Sequence, residues 1–157
     1  MVKQRKKSRG FSLLELVVVV VIIGIIAAVA IPRLSRGSAG AADSALAGNM
    51  AVLRNAIDLY SIEHGGAFPT VANIENALLQ YTDKNGGLSA TKDTTHIYGP
   101  YVRKIPPLPV GAMKGNTKIA AASDDDVGWI YGASAGTIRA NTTATEKDDS
   151  GKLYQDY

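Results

Sequence analysis

Several short stretches of this sequence carry residue types that could do chemistry. Gly132-Ala133-Ser134-Ala135-Gly136 fits the G-x-S-x-G pattern of serine hydrolases, with Ser134 as the nucleophile. That chemistry needs a strand–turn–helix setting, with an acid and a histidine that follow the serine in that fold. Both histidines, His64 and His96, precede Ser134, and its flanks read as β. A glycine-rich hairpin turn accounts for the stretch better. The two histidines lack helical His-x₃-His spacing, and the chain has no cysteine, so a zinc site is not expected. Ser123-Asp124-Asp125-Asp126 could offer carboxylates to Ca²⁺, with Asp148, Asp149 or Asp156 as further ligands; a solvated acidic loop is the commoner explanation. Asn141-Thr142-Thr143 fits a glycosylation sequon, a short and frequent motif. Arg103 and Lys104 read as solvated surface charges. There is no phosphate-cradling glycine loop, and no enzyme emerges.

The most informative residue is a carboxylate in an apolar run. From Phe11 to Ile31, Glu15 is the only ionisable side chain. As a helix these residues span about 31 Å, close to the hydrocarbon thickness of a bilayer. Five of the first ten residues, Lys3, Arg5, Lys6, Lys7 and Arg9, are basic. That cluster predicts a cytoplasmic tip, with the C-terminal bulk outside the inner membrane. It also accounts for the net charge of +3 of the whole 157-residue chain, so no nucleic-acid face is expected downstream.

Three readings of this N-terminus stay open on the residues alone. A secretory signal peptide could be cut after Ala28-Val29-Ala30, releasing a soluble periplasmic protein. A plain single-pass anchor is the second. Neither explains Glu15 or the polar Ser8-Arg9-Gly10-Phe11-Ser12 step into the apolar run. The third does: Arg9-Gly10-Phe11-Ser12-Leu13-Leu14-Glu15, followed by the apolar run, resembles the type IV prepilin signature shared by type IV pilins and the pseudopilins of type II secretion. The resemblance implies that a prepilin peptidase cuts between Gly10 and Phe11 and methylates the new Phe11 amine. It implies that Glu15 of one subunit pairs with the Phe11 amine of its neighbour in a homo-oligomeric filament, and that Pro32 kinks the helix. An assembly platform and an ATPase are implied partners. A lone carboxylate in lipid is costly by up to a few kcal/mol, so a cation exposed by processing gives it a partner.

Elements must position these residues. Pro32 should interrupt the helical hydrogen-bond ladder, and Arg36 to Gly40 is a further soft patch. Beyond it, Ala42, Leu46, Met50, Leu53, Ile57 and Tyr60 recur at three- and four-residue steps, one apolar stripe of an amphipathic helix that should stop at His64-Gly65-Gly66. Thr70 is a plausible N-cap for a second helix over Val71 to Tyr81. Asp83 to Asp93 reads as a loop. Gly99 to Gly111 carries four prolines and should run extended along the surface. Val127 to Tyr131 and Thr137 to Thr143 predict a β-hairpin, and the tail from Ala144 is polar enough to be loosely held.

The expected division is a leader over 1–10, a membrane-spanning and filament-core helix over 11–31, an amphipathic half-helix over 32–64, a small globular domain over 65–143 and a tail over 144–157. The fold class is α+β, one long helix packed on a small antiparallel sheet, which is also the pilin fold. Ala56 to Thr70 is similar to the helix end and turn of major pseudopilins, and Tyr101 to Pro109 to the segment ahead of their sheet. The calcium loop of that group and its Asp-Pro-Trp-Gly turn are not recognisable here. With no cysteine pair, the sequence leans toward a type II secretion pseudopilin, with a type IV pilin as the alternative.

Overall fold

Helix α1 begins at Leu13 and ends at Glu63, 51 residues later. The computed structural model describes residues 11–157, and the chain divides into two units, Met1–Ser38 and Ala39–Tyr157. Leader residues 1–10, including Gly10, lie outside the described residues.

In the first unit, the β-branched run Val17–Ile23 has modest helix propensity in water. A helix nevertheless satisfies every backbone group internally, which lipid demands. Leu13–Ala30 is the one helical segment among the described residues long and apolar enough to cross a membrane, and no part of it is buried. The helix does not end at Pro32: α1 continues through Pro32 and through Arg36 to Gly40. A proline removes one N–H donor, and glycine and serine weaken a helix without forbidding it.

In the second unit, the stripe read from the sequence becomes the core. Leu46, Met50, Leu53, Ile57 and Tyr60 are buried, and Ala42 packs at the edge. The helix closes with the Gly66 N–H donating to the Ser61 carbonyl at 2.8 Å, and Gly65 and Gly66 both adopt positive φ. Helix α2 is shorter than expected, Ile74–Leu79. Asn73, not Thr70, occupies its N-cap position, because the Thr70 carbonyl already accepts the Asn73 N–H in a turn. At the other end Gln80 is extended, and Tyr81 leaves the helix for a strand.

Two small sheets follow. Strands β1 (Tyr81–Thr82) and β2 (Leu88–Ser89) pair antiparallel, and β2 lies in the stretch expected to be a plain loop. The Asp83 carboxylate closes that turn by accepting the Asn85 and Gly87 N–H groups at 2.7 and 2.8 Å. The second sheet has the order β3 (Lys118–Ala120), β4 (Val127–Gly132), β5 (Thr137–Ala140). β4 and β5 form the expected antiparallel hairpin, Trp129 facing Ala140 and Gly132 facing Thr137. β3 pairs parallel with β4, so the sheet is mixed rather than purely antiparallel. A parallel neighbour usually needs a long crossover. Here β3 is three residues long, so the connection from Ala121 to Asp126 is long enough to return alongside it.

The proline-rich segment is not a surface ribbon. Val102, Ile105, Leu108 and Val110 are buried in the core. Prolines forbid ladder donors but leave their carbonyls free to accept. The Trp129 Nε1–H donates to Pro106 O at 2.8 Å and the Asn49 amide to Pro107 O at 3.0 Å. The tail is not loose either. The Tyr154 hydroxyl donates to Asp43 at 2.8 Å, the Arg54 guanidinium to the main-chain oxygen of Tyr157, and Lys152 Nζ sits 4.0 Å from the Tyr157 ring centroid. The architecture is α+β.

Candidate processing and assembly site

The head of α1 carries the residues singled out for processing and assembly. Phe11 is 79% exposed, and the large apolar side chains of the segment that follows are exposed as well. Ser12 directly precedes the first helical residue, and its carbonyl accepts the Leu16 N–H at 3.2 Å. Glu15 is the third residue of the helix. Ser12-x-x-Glu15 is thus the spacing of a capping box, at the helix end whose unpaired N–H groups and positive dipole favour a carboxylate. The residues alone contained this signal, but it is legible only once the helix start is fixed. Pro32 lies inside α1.

The other candidates fall into ordinary structural places. Ser134 is exposed on the turn between β4 and β5, with the Ala135 N–H donating to Gly132 O at 3.3 Å. The setting is strand–turn–strand. Gly136 adopts φ +63°, and a Cβ there would collide with the Phe68 ring. Neither histidine bonds to Ser134. His96 Nδ1 contacts the Asp93 carboxylate at 2.8 Å, while the backbone N–H groups of His96 and Thr95 pull the Asp93 carboxyl well below its usual range. His64 is buried and stacked on Tyr60 with ring centroids 3.8 Å apart.

Asp124, Asp125 and Asp126 sit on the exposed connection between β3 and β4. Asp126 pairs with Lys118 at 2.6 Å, Asp124 accepts the Asp125 N–H at 2.8 Å, and the Asp125 carbonyl accepts the Asn116 amide at 2.7 Å. Among the described residues no group of three or more His, Asp or Glu side chains is placed to hold a metal ion. Asn141 of the sequon is 3% exposed, and its amide donates to Val127 O at 2.8 Å and Asp124 O at 3.1 Å. The nitrogen a glycan would need is occupied in the folded chain. Arg103 and Lys104 are exposed.

Residues 5–31 match the family model described as Prokaryotic N-terminal methylation motif. The motif covers Arg5, Lys6, Lys7 and Arg9 of the basic cluster, the Gly10–Phe11 junction, Glu15 and the apolar segment. It supports a type IV pilin-like N-terminus that is a substrate of prepilin peptidase, and processing of that kind goes with pilus-like assembly in general. Together with the apolar helix it fits a protein anchored in the inner membrane, and the α+β arrangement is consistent with the pilin fold. No curated protein and no solved structure matches the chain.

One cluster was missed by sequence reasoning. Tyr60 and His64, at the end of the apolar stripe, meet the β1–β2 turn. His64 Nδ1 lies 2.7 Å from the Tyr60 carbonyl and Nε2 lies 2.9 Å from the Asp83 carbonyl. Burial, with the nearby Asp83 charge, pushes the Tyr60 hydroxyl above its ordinary range. No spacing rule points to this pairing, because it joins residues 19 positions apart.

Proposed function

We propose that this chain is a structural subunit of a pilus-like filament, most closely a type II secretion pseudopilin, and not an enzyme. The peptidase cuts between Gly10 and Phe11, and Phe11 becomes the N-methylated end. The helix over 11–31 anchors the subunit in the inner membrane, N-terminus cytoplasmic and the C-terminal unit periplasmic. It then enters the filament core, where Glu15 meets the Phe11 amine of a neighbouring copy. An assembly platform and an ATPase supply the force. The observation that carries this reading is the methylation motif over residues 5–31, coinciding with an exposed apolar helix that holds a carboxylate in its first turn. The preference for a pseudopilin over a type IV pilin rests on the absence of cysteine and on the likeness of Ala56 to Thr70 to major pseudopilins.

Conventional export with cleavage after Ala30 would cut inside α1. Intact-mass analysis and N-terminal sequencing of the mature protein separate the readings. A chain starting at methylated Phe11 is expected. A start at Ile31 would establish conventional export, and a retained Met1 a plain anchor.

A further inference from the structure

His64 directly follows the last residue of α1 and is buried. Both of its ring nitrogens face carbonyl oxygens: Nδ1 lies 2.7 Å from Tyr60 O, and Nε2 lies 2.9 Å from Asp83 O. A carbonyl oxygen can only accept. Each of these two is already fixed as an acceptor by a backbone N–H, that of His64 on Tyr60 O and that of Gly86 on Asp83 O, both at 3.0 Å. A neutral imidazole has one N–H and one bare nitrogen. It would satisfy one carbonyl and set a lone pair against the other. The imidazolium donates to both.

The surroundings favour the charged ring. It stacks on Tyr60 with planes 8° apart, and the Tyr98 ring lies 5.4 Å away. It also stands at the helix end where a cation is stabilised. The titratable groups of the elements packed around it are Tyr60 and Glu63 on α1, Asp83 and Lys84 on the β1–β2 turn, and His96, Tyr98 and Tyr101 on the segment beyond β2. Glu63 accepts from the Tyr101 hydroxyl at 2.7 Å. The Gly87 and Asn85 N–H groups hold the Asp83 carboxyl below its ordinary range, and the His64 and His96 charges act in the same direction. Burial holds the Tyr60 and Tyr101 hydroxyls above theirs, so both stay neutral.

We propose that His64 is a proton-operated clasp between the end of α1 and the β1–β2 turn. With both ring nitrogens protonated the clasp is closed. When one proton leaves, the ring keeps its local bond to Tyr60 O, four positions away, and loses the bond to Asp83 O, 19 positions away. The turn is then held by its own bonds alone. The clasp lies wholly within the second unit and does not depend on filament assembly.

The test uses the ¹⁵N-labelled full chain carrying His96→Gln, in nonionic detergent, so that His64 is its one histidine. Long-range spectra of the ring nitrogens and amide spectra are recorded from about pH 5 to about pH 9, across the ordinary histidine range. As pH rises, Nε2 should lose its proton and Nδ1 should keep its own. The Asp83 and Gly86 amide signals should move with the same midpoint as the ring. Their protection from hydrogen exchange, corrected for the intrinsic pH dependence, should fall roughly tenfold, the effect of losing a hydrogen bond from a charged donor. His64→Phe, added to this chain, keeps an aromatic ring and removes both donors. There the two amides should show no titration over this range and low protection throughout. A ring that never changes its proton count would overturn the proposal. So would a neutral ring protonated on Nε2, turn amides that ignore the His64 titration, or full protection in His64→Phe.

Discussion

At the scale of single residues, Asp148 shows how a polar tail is held. Its carboxylate accepts from the Tyr157 hydroxyl at 2.5 Å, the Ser150 hydroxyl at 2.7 Å, and the Ser150 and Lys152 N–H groups, each at 2.8 Å. These bonds, the Tyr157 hydroxyl first, hold its pKa down to about 2. A lowered carboxylate pKa contributes stability that is present above the unfolded value of about 3.9 and fades as pH falls through the folded one. The Ser150 and Lys152 amide signals should therefore titrate with a midpoint near pH 2, as the tail loses its acceptor. Tyr157→Phe should move that midpoint up toward the ordinary carboxylate value, and Asp148→Asn should abolish it. A midpoint near 4 in the parent chain would mean that the tail is not docked this way. That the tail docks on α1 was not legible from the residues, because those ties run from Tyr154 and Tyr157 to Asp43 and Arg54, over a hundred positions away.

At the scale of elements, periodicity carried what was legible. Three- and four-residue steps located the buried face of α1, and alternation around a glycine-rich turn located the β4–β5 hairpin. Proline misled in the opposite direction. It marked Gly99 to Gly111 as unfit for a central strand, which holds. It said nothing about whether Trp129 and Asn49 would reach across to bond that segment's carbonyls and bury it. The α2 boundaries slipped for a similar reason, since turn bonds at Thr70 compete with helix N-capping. The candidate site divides likewise. Phe11 and Glu15 were singled out from residue type and spacing, whereas the Tyr60–His64 cluster depends on a turn that only tertiary folding brings to α1.

Neighbouring positions on α1 give a sharp test of the periodic reading. Leu53 is fully buried and Val52 is 49% exposed. Leu53→Ala should destabilise the second unit by about 2–5 kcal/mol, through lost burial and the cavity left behind. Val52→Ala should stay within about 0.5 kcal/mol of the parent. Denaturant unfolding of the full chain in detergent can be followed through the buried Trp129, the chain's one tryptophan. Equal losses from both substitutions would mean that the two faces of α1 have been misassigned.

At the scale of the whole molecule, the two units solve opposite problems. Ala39–Tyr157 buries its own apolar stripe, whereas the apolar side chains of Leu13–Ala30 stand exposed and must find lipid or other helices. Packing against lipid-like surfaces has little preferred register, so apolar helices alone would not fix how copies stack. A single carboxylate at a fixed turn can fix it, provided each copy also presents one cation, and cleavage before Phe11 would create that cation. Removing one partner of a buried charged pair commonly costs about 3–5 kcal/mol, whereas exchanging an exposed acid for its amide costs little. Glu15→Gln keeps the size and hydrogen-bonding ability of the side chain and removes its charge. The variant should still enter the membrane, still yield mature chains starting at methylated Phe11, and still bury Trp129. Its filament yield should fall by more than about a hundredfold, the least that such an energy implies. Filaments at parental yield, from chains with the correct processed start, would show that the amine–carboxylate pair does not set the register. Glu15 would then be a helix-capping residue and nothing more.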